Sequence, residues 1–317
     1  MKILVTGGAG FIGSNVIKYL LDSTDYDVVC IDILNDFYDT AIKERNLLPF
    51  LDNERFKLYR EDICDFEAMN KIFVQEKPHK IIHLAARASV RDGIKNPLLY
   101  EKVNLGGTIN LLELSKQHGI ENFVFASSSS VYGNQSKTPF SETDIVEEPI
   151  SLYAATKKAG ENLCYTYHHL NNIPITCLRF FTVYGPSGRP DMAPYKFTDL
   201  IYKGEPLPKY GDGTSERDYT YVDDIVQGII SSLEKNLSFE VINLGNSETT
   251  SLNDFIALIE KLLGKKAIIE QLPMQPGDVD ITYADISKAE KLLGYKPSVT
   301  TEEGMKKFVE WYLNTVE

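Results

Sequence analysis

Thr6-Gly7-Gly8-Ala9-Gly10-Phe11-Ile12-Gly13 joins a β-rich run, Lys2–Thr6, to a helical pattern in which Phe11, Ile12, Val16, Ile17, Leu20 and Leu21 share one face. Glycine in a strand-to-helix turn lets the backbone bend tightly and approach a pyrophosphate, and the helix N-terminus offers free N–H groups to its charge. The spacing of Gly7, Gly10 and Gly13 is GxxGxxG rather than GxGxxG, so the letters alone are weak; the flanking strand and helix strengthen them. Asp32 ends the second β-rich run, nineteen residues beyond Gly13. A carboxylate there accepts hydrogen bonds from both hydroxyls of an adenosine ribose and repels a 2′-phosphate, which favours NAD over NADP. Asp62 and Ile63, after the third run, are candidates for the adenine edge.

Outward from this loop the chain alternates β-rich runs with amphipathic helices. The predicted strands are Lys2–Thr6, Val28–Asp32, Phe56–Arg60, Lys80–Leu84, Asn122–Ser127 and Ile173–Arg179. Their Ile, Leu and Val lack strict alternation, as expected of a sheet buried on both faces and therefore parallel. Six such repeats predict an α/β fold built on a doubly wound parallel sheet. After Arg179 the rhythm breaks: Pro186, Gly188, Pro190 and Pro194 crowd a loop, and helices are predicted around Phe197–Tyr202, Asp223–Leu233, Ser251–Leu263, Ser287–Leu293 and Thr301–Tyr312. The expected division is residues 1–180, a nucleotide-binding domain, and residues 181–317, a smaller α/β substrate domain.

The 317 residues carry 33 basic and 45 acidic side chains, a formal charge of −12. That balance argues against a nucleic-acid binder or a basic membrane-surface protein, since both need clustered Lys and Arg. An anionic ligand must be held by local groups against the overall field. The composition, 43% apolar and 25% charged, is that of an ordered globular chain. Cys30, Cys64, Cys164 and Cys177 show no CxxC spacing and sit beside apolar residues, so buried reduced thiols are expected. No apolar run approaches the roughly 20 residues that span a bilayer, and the chain opens directly as a strand. These features point to the cytoplasm. His168 and His169 point to different helix sides, and His79, His83 and His118 lack acidic neighbours at ligand spacing, so no metal site is expected. His83, on the fourth strand, reads as a satisfied core residue.

Tyr153-Ala-Ala-Thr-Lys157 places a phenol and an ammonium on one helix face. The spacing is common by chance; its position carries the weight. It opens the helix after the fifth strand, downstream of Ala126-Ser-Ser-Ser-Ser-Val-Tyr-Gly133, a serine run leaving the carboxyl end of a parallel strand where ligands bind in open α/β sheets. A free phenol, with a pKa near 10, is a poor base at neutral pH. A nearby ammonium and a positive nicotinamide ring each favour phenolate by roughly 1–3 units. Lys157 is also placed to hold a nicotinamide ribose. Ser128 and Ser130 are candidates to hydrogen-bond a substrate hydroxyl and relay its proton, and the sequence does not choose between them.

The glycine loop, the serine run before Val131-Tyr-Gly133 and the Tyr153/Lys157 pair resemble the extended short-chain dehydrogenase/reductase family. Within it the chain is most similar to UDP-glucuronate 4-epimerases, through Ser151–Lys158, Leu178–Pro186, Gly188–Ala193, Arg217–Asp224 and Leu272–Asp278. The resemblance implies a Rossmann-type sheet, NAD held tightly, a UDP-sugar substrate and a homodimer through helices beginning near Pro97 and Tyr153. It also implies cofactor contacts from Leu84, Ala85 and Asn104. Dehydratases and decarboxylases of this family resemble one another in a Glu immediately before the VYG triplet; Ser130 stands there in this chain, which leaves the epimerase reading. Thr182 and Arg189 are candidates for gripping a sugar carboxylate, and epimerases of neutral hexoses commonly have Asn in place of Thr182. Arg91 and Arg217 are candidates for the diphosphate, and Gln275 and Asp278 for the uridine. Two alternatives stand: a UDP-glucose or UDP-N-acetylglucosamine 4-epimerase, disfavoured by Thr182 and Arg189, and a non-catalytic NAD-binding sensor, disfavoured by Tyr153, Lys157 and the serines.

Overall fold

Alternate residues of each central strand enter two different cores. Ile3, Val5, Val28, Cys30 and Ile82 face one, and Leu4, Val29, Ile31 and Ile81 face the other. Each such side chain taken fully out of water contributes about 1.5–3 kcal/mol, which is why these runs are apolar without alternation. The computed structural model describes residues 1–273 and 279–316. Its main sheet contains β1 (Lys2–Thr6), β2 (Asp27–Ile31), β3 (Phe56–Tyr59), β4 (Lys80–His83), β5 (Asn122–Ser128), β6 (Ile175–Phe180) and β7 (Phe239–Leu244). All pairings are parallel, in the order β7-β6-β5-β4-β1-β2-β3. The expected α/β class and parallel sheet are therefore present.

The six predicted strands all form, within one or two residues at their ends. The seventh, β7, was not read from the sequence. It is contributed by residues beyond 180, as is the helix Val222–Glu234 that packs on the first helix, Phe11–Ser23 (α1). The chain thus returns to the main sheet after leaving it at Phe180. The other predicted C-terminal helices are present as Ala193–Lys203, Leu252–Leu263, Ser287–Leu293 and Thr301–Val316.

The strand order reverses between β1 and β4, so the loops after these strands diverge and open a crevice at their carboxyl ends. The helix Leu152–Asn171 (α2) covers β5 on one face, and Ser151 caps it by accepting from the Ala154 N–H. On the far side of the crevice two short strands, Thr182–Tyr184 and Tyr219–Tyr221, pair in parallel with Thr182 opposite Tyr219. Among the described residues no helix is long and apolar enough to cross a membrane.

Candidate active site

A cavity of about 850 Å³ lies along the crevice. Its floor is the glycine loop. Gly7 has φ +72°, and a Cβ there would lie 2.7 Å from the Ala85 nitrogen. A Cβ on Gly13 would overlap the Gly7 carbonyl oxygen, so the first turn of α1 sits directly on the loop. Gly10 begins α1 without a side-chain cap, which leaves the first helical N–H groups for a ligand. At the end of β2, Asp32 accepts the Ala9 N–H at 3.0 Å and the Leu34 N–H at 2.9 Å. Those bonds fix the carboxylate at the cavity wall, while burial raises its pKa. A cradle without Cβ atoms, an uncapped helix start and an oriented carboxylate fit a dinucleotide with free ribose hydroxyls.

Of the expected cofactor contacts, Gly7, Gly10, Phe11, Ile12, Gly13, Asp32, Asp62, Ile63, Leu84, Ala85, Tyr153 and Lys157 line this cavity. Asn104 is not among the lining residues. Its Oδ1 accepts the Arg87 N–H at 2.8 Å, and its Nδ2 donates to the Arg87 carbonyl and the Thr156 hydroxyl, both at 3.0 Å. The amide thus braces the loop after β4.

Tyr153, Lys157, Ser128 and Ser130 meet at the cavity's centre. Lys157 is buried, and its ammonium donates to the Ala126 carbonyl at 2.7 Å. Burial lowers its pKa to about 8, with Cys164, Cys177 and Glu161 pulling it back up. The Ser128 hydroxyl donates to that of Ser130 at 3.1 Å and accepts the Ser130 N–H at 3.2 Å, and the Tyr153 phenol lines the same cavity within electrostatic reach of Ser128. The Tyr153 phenol is raised by burial and lowered by Ser128 and Arg189. The ammonium support expected from Lys157 is weaker than its spacing suggested, because Nζ is turned onto the strand carbonyl, 6.0 Å from the Tyr153 ring centroid.

Arg91, Thr182, Arg189 and Arg217 also line the cavity. The Thr182 N–H donates to the Asp218 carbonyl at 3.1 Å, which ties the short-strand pair together. Arg217 donates from Nη1 to the carbonyls of Glu216 at 2.8 Å and Asp280 at 3.3 Å, and the Arg91 guanidinium lies 5.5 Å from the Tyr210 ring. Arg189 was expected to grip a ligand carboxylate, and its fork is engaged by one of the protein's own: Nε and Nη2 bond Asp191 at 3.0 and 2.6 Å. Gln275 and Asp278 lie outside the described residues.

The lining also includes residues not read from the sequence, among them Asn35, Lys43 and Arg87. Lys43 is buried and donates to the Asn35 carbonyl and side chain at 2.6 and 2.8 Å, within electrostatic reach of Asp32. Its helix, Thr40–Leu47, has no apolar stripe, so nothing in the sequence separated this lysine from solvated ones. His83 behaves as expected, with one ring nitrogen 2.7 Å from the Thr6 hydroxyl and the other 3.0 Å from that of Thr108. Burial lowers its pKa to about 3. Three cysteines are buried as expected; Cys64 is partly exposed. Among the described residues no group of three or more His, Cys, Asp or Glu is arranged to hold a metal ion.

Residues 4–308 match the family described as GDP-mannose 4,6 dehydratase. The chain is 48% identical over 315 residues to a UDP-glucuronate 4-epimerase of Thermodesulfobacterium geofontis, covering 99% of this chain and 97% of that protein. It superposes on the crystal structure of the Bacillus cereus UDP-glucuronic acid 4-epimerase in complex with UDP-glucuronic acid and NAD with a TM-score of 0.94 and 40% identity, covering 99% of this chain and 100% of the other. The Thermotoga maritima UDP-glucose 4-epimerase with UDP-glucose gives a TM-score of 0.92 at 35% identity, with both chains covered completely. Glycine cradle, serine pair and buried lysine thus stand in a framework shared across full-length relatives, and the chain belongs to the GDP-mannose 4,6 dehydratase family of extended short-chain dehydrogenase/reductases.

Proposed function

We propose that this protein is an NAD-dependent UDP-sugar 4-epimerase acting on UDP-glucuronate: C4 is oxidised transiently, the 4-keto sugar turns over, and hydride returns to its other face. The observation that carries the reading is that Tyr153 and the bonded pair Ser128–Ser130 line one cavity with the glycine cradle. When bound, NAD supplies the hydride acceptor and a positive ring beside the phenol. Tyr153 takes the C4 hydroxyl proton and later returns it, with Ser128 hydrogen-bonded to that hydroxyl. Lys157 holds the nicotinamide ribose from its anchored position on Ala126. A serine at position 130 provides no acid for eliminating a 6-hydroxyl, which favours epimerisation over the dehydration in the family's description. Residues 1–180 would hold the cofactor. Residues 181–317, apart from the strand and helix they lend to the sheet, would hold the sugar nucleotide, with Arg217 and, from the first segment, Arg91 on the diphosphate. We also assign the protein to the cytoplasm and propose a homodimer, the latter supported by exposed Leu98 and Tyr165 on the helical segments beginning at Pro97 and Leu152.

Incubating the purified enzyme with UDP-glucuronate, UDP-glucose and UDP-N-acetylglucosamine tests the substrate. Conversion of the uronate to UDP-galacturonate well ahead of the neutral sugars is expected; a preference for UDP-glucose would move the assignment to a neutral-sugar epimerase.

A 4-keto uronic acid is a β-keto acid, so the enzyme must keep its carboxylate bond out of alignment with the carbonyl π system. Thr182 and Arg189 are assigned that grip, with Arg189 acting through Nη1, the nitrogen outside its fork to Asp191, or by exchanging that fork. A charge-assisted hydrogen bond contributes about 1.5–3 kcal/mol. Arg189→Ala is therefore expected to lower kcat/KM for UDP-glucuronate by roughly 10- to 150-fold and to raise the share of product released as UDP-pentose. Arg189→Lys should restore only part of this, since a point charge does not reproduce a planar fork. Chromatography of products at matched conversion checks both; unchanged kcat/KM with no added pentose removes Arg189 from the role.

A further inference from the structure

Where β5 runs into the serine run, three consecutive residues each face one residue of α2. The Ala126 carbonyl accepts from Lys157 at 2.7 Å, the Ser127 hydroxyl donates to Glu161 at 2.6 Å, and Ser128 lies within electrostatic reach of Tyr153 in the cavity they both line. Tyr153, Lys157 and Glu161 are spaced by four residues and share one face of the helix. Glu161 is 2% exposed and is forked by Arg179 of β6 through two bonds of 2.8 Å. The Arg179 guanidinium also lies 4.8 Å from the ring of Tyr132.

A buried ion pair is a poor way to gain stability, because desolvation offsets the Coulomb attraction and apolar replacements are often neutral or better. Its place here gives it another role. We propose that Glu161 is a positioning residue for the hydride chemistry: braced by Arg179 and bonded to Ser127, it fixes the register of α2 on β5 and so sets Tyr153 and Lys157 relative to Ser128. The inference rests on the reading of Tyr153 and Lys157 as the acid–base pair and adds to it a residue that touches neither substrate nor cofactor.

Glu161 also acts on Lys157 through charge. The groups facing Lys157 are Cys164, Glu161 and Tyr153 on α2, Cys177 on β6 and His83 on β4, with the Phe125 ring of β5 at 5.1 Å. Burial keeps the Cys177 thiol and the His83 ring neutral, which leaves Glu161 as the carboxylate among them. Removing its charge lowers the pKa of Lys157 further, so the ammonium is lost at lower pH.

The test uses the full-length enzyme with its bound NAD. Glu161→Gln keeps size and an acceptor for Ser127 but removes the charge. We expect kcat to fall roughly 10- to 100-fold, as a misplaced reacting group does, with KM changed by less than about twofold. The alkaline limb of kcat/KM should move to lower pH, and bound NAD per subunit should stay unchanged. A second variant removes the pair without leaving Arg179 unpaired: Glu161→Met with Arg179→Met. It is expected to keep the wild-type unfolding temperature and yet share the loss of kcat and the displaced alkaline limb. If that double variant is stable, holds NAD and turns over like wild type with the same pH profile, Glu161 is merely structural and the proposal falls. If wild type epimerises no UDP-sugar at C4, the functional reading falls first and takes the inference with it; epimerisation of a neutral UDP-sugar leaves the test intact on that substrate.

Discussion

Tyr153→Phe is expected to retain NAD and bind its UDP-sugar nearly as well as wild type while turning over about 10²–10⁴-fold more slowly, the usual share of a positioned acid–base group. At the upper end that is roughly 5 kcal/mol of transition-state stabilisation. The expectation follows from geometry. Tyr153 lines the cavity beside Ser128, whose hydroxyl donates to Ser130. Phenylalanine removes the phenol oxygen and leaves the packing of α2 in place. Equilibrium binding of UDP-sugar and single-turnover kinetics separate the effects: a fall confined to kcat supports the assignment, and near-normal turnover removes Tyr153 from the chemistry.

Gly13→Ala acts on the cofactor site instead. The added methyl meets the carbonyl oxygen of Gly7 and the Cα of Gly8, both backbone, so neither can rotate away. Overpacking of this kind costs about 1–3 kcal/mol, and relieving it pushes the start of α1 off the loop that would receive the pyrophosphate. The variant is expected to unfold at lower temperature and to purify with little NAD. Gly106→Ala is the control, because a Cβ there meets nothing within 4 Å. Thermal unfolding and the ratio of nucleotide to protein absorbance check both. An NAD-replete, fully stable Gly13→Ala protein would contradict the close approach described for this loop.

The parts of the fold that announced themselves in the sequence are those where burial dictates composition. The strands from Lys2–Thr6 to the sixth run are rich in Ile, Val, Leu and Phe because both faces of the sheet are covered. The seventh, Phe239–Leu244, lies at the sheet's edge and is only partly buried over its first three residues, with Glu240 among them. Its apolar signal is diluted, and it arrives after the alternation of strand and helix has already broken. Site residues follow the same logic. Glycines, Asp32, Tyr153 and Lys157 carry backbone or spacing signatures; Lys43 and Glu161 look like solvated helix charges until the tertiary structure buries them. Asn104 shows the limit from the other side: nothing in its local sequence announced that both ends of its amide would brace the loop after β4. Arg189 lies between these cases, since it reaches the cavity as expected but brings its own counter-ion, Asp191.

The family's description names a dehydratase, whereas Ser130 occupies the position before Val131-Tyr-Gly133. Which chemistry follows C4 oxidation is therefore the central claim, and UDP-glucuronate labelled with deuterium at C4 tests it most directly. The account predicts UDP-galacturonate that keeps the label at C4, with no NADH accumulating and no external NAD consumed, because the hydride returns to the carbon it left. Deuterium appearing in bulk NADH in proportion to substrate consumed, or UDP-pentose with CO₂ as the main product, would contradict it.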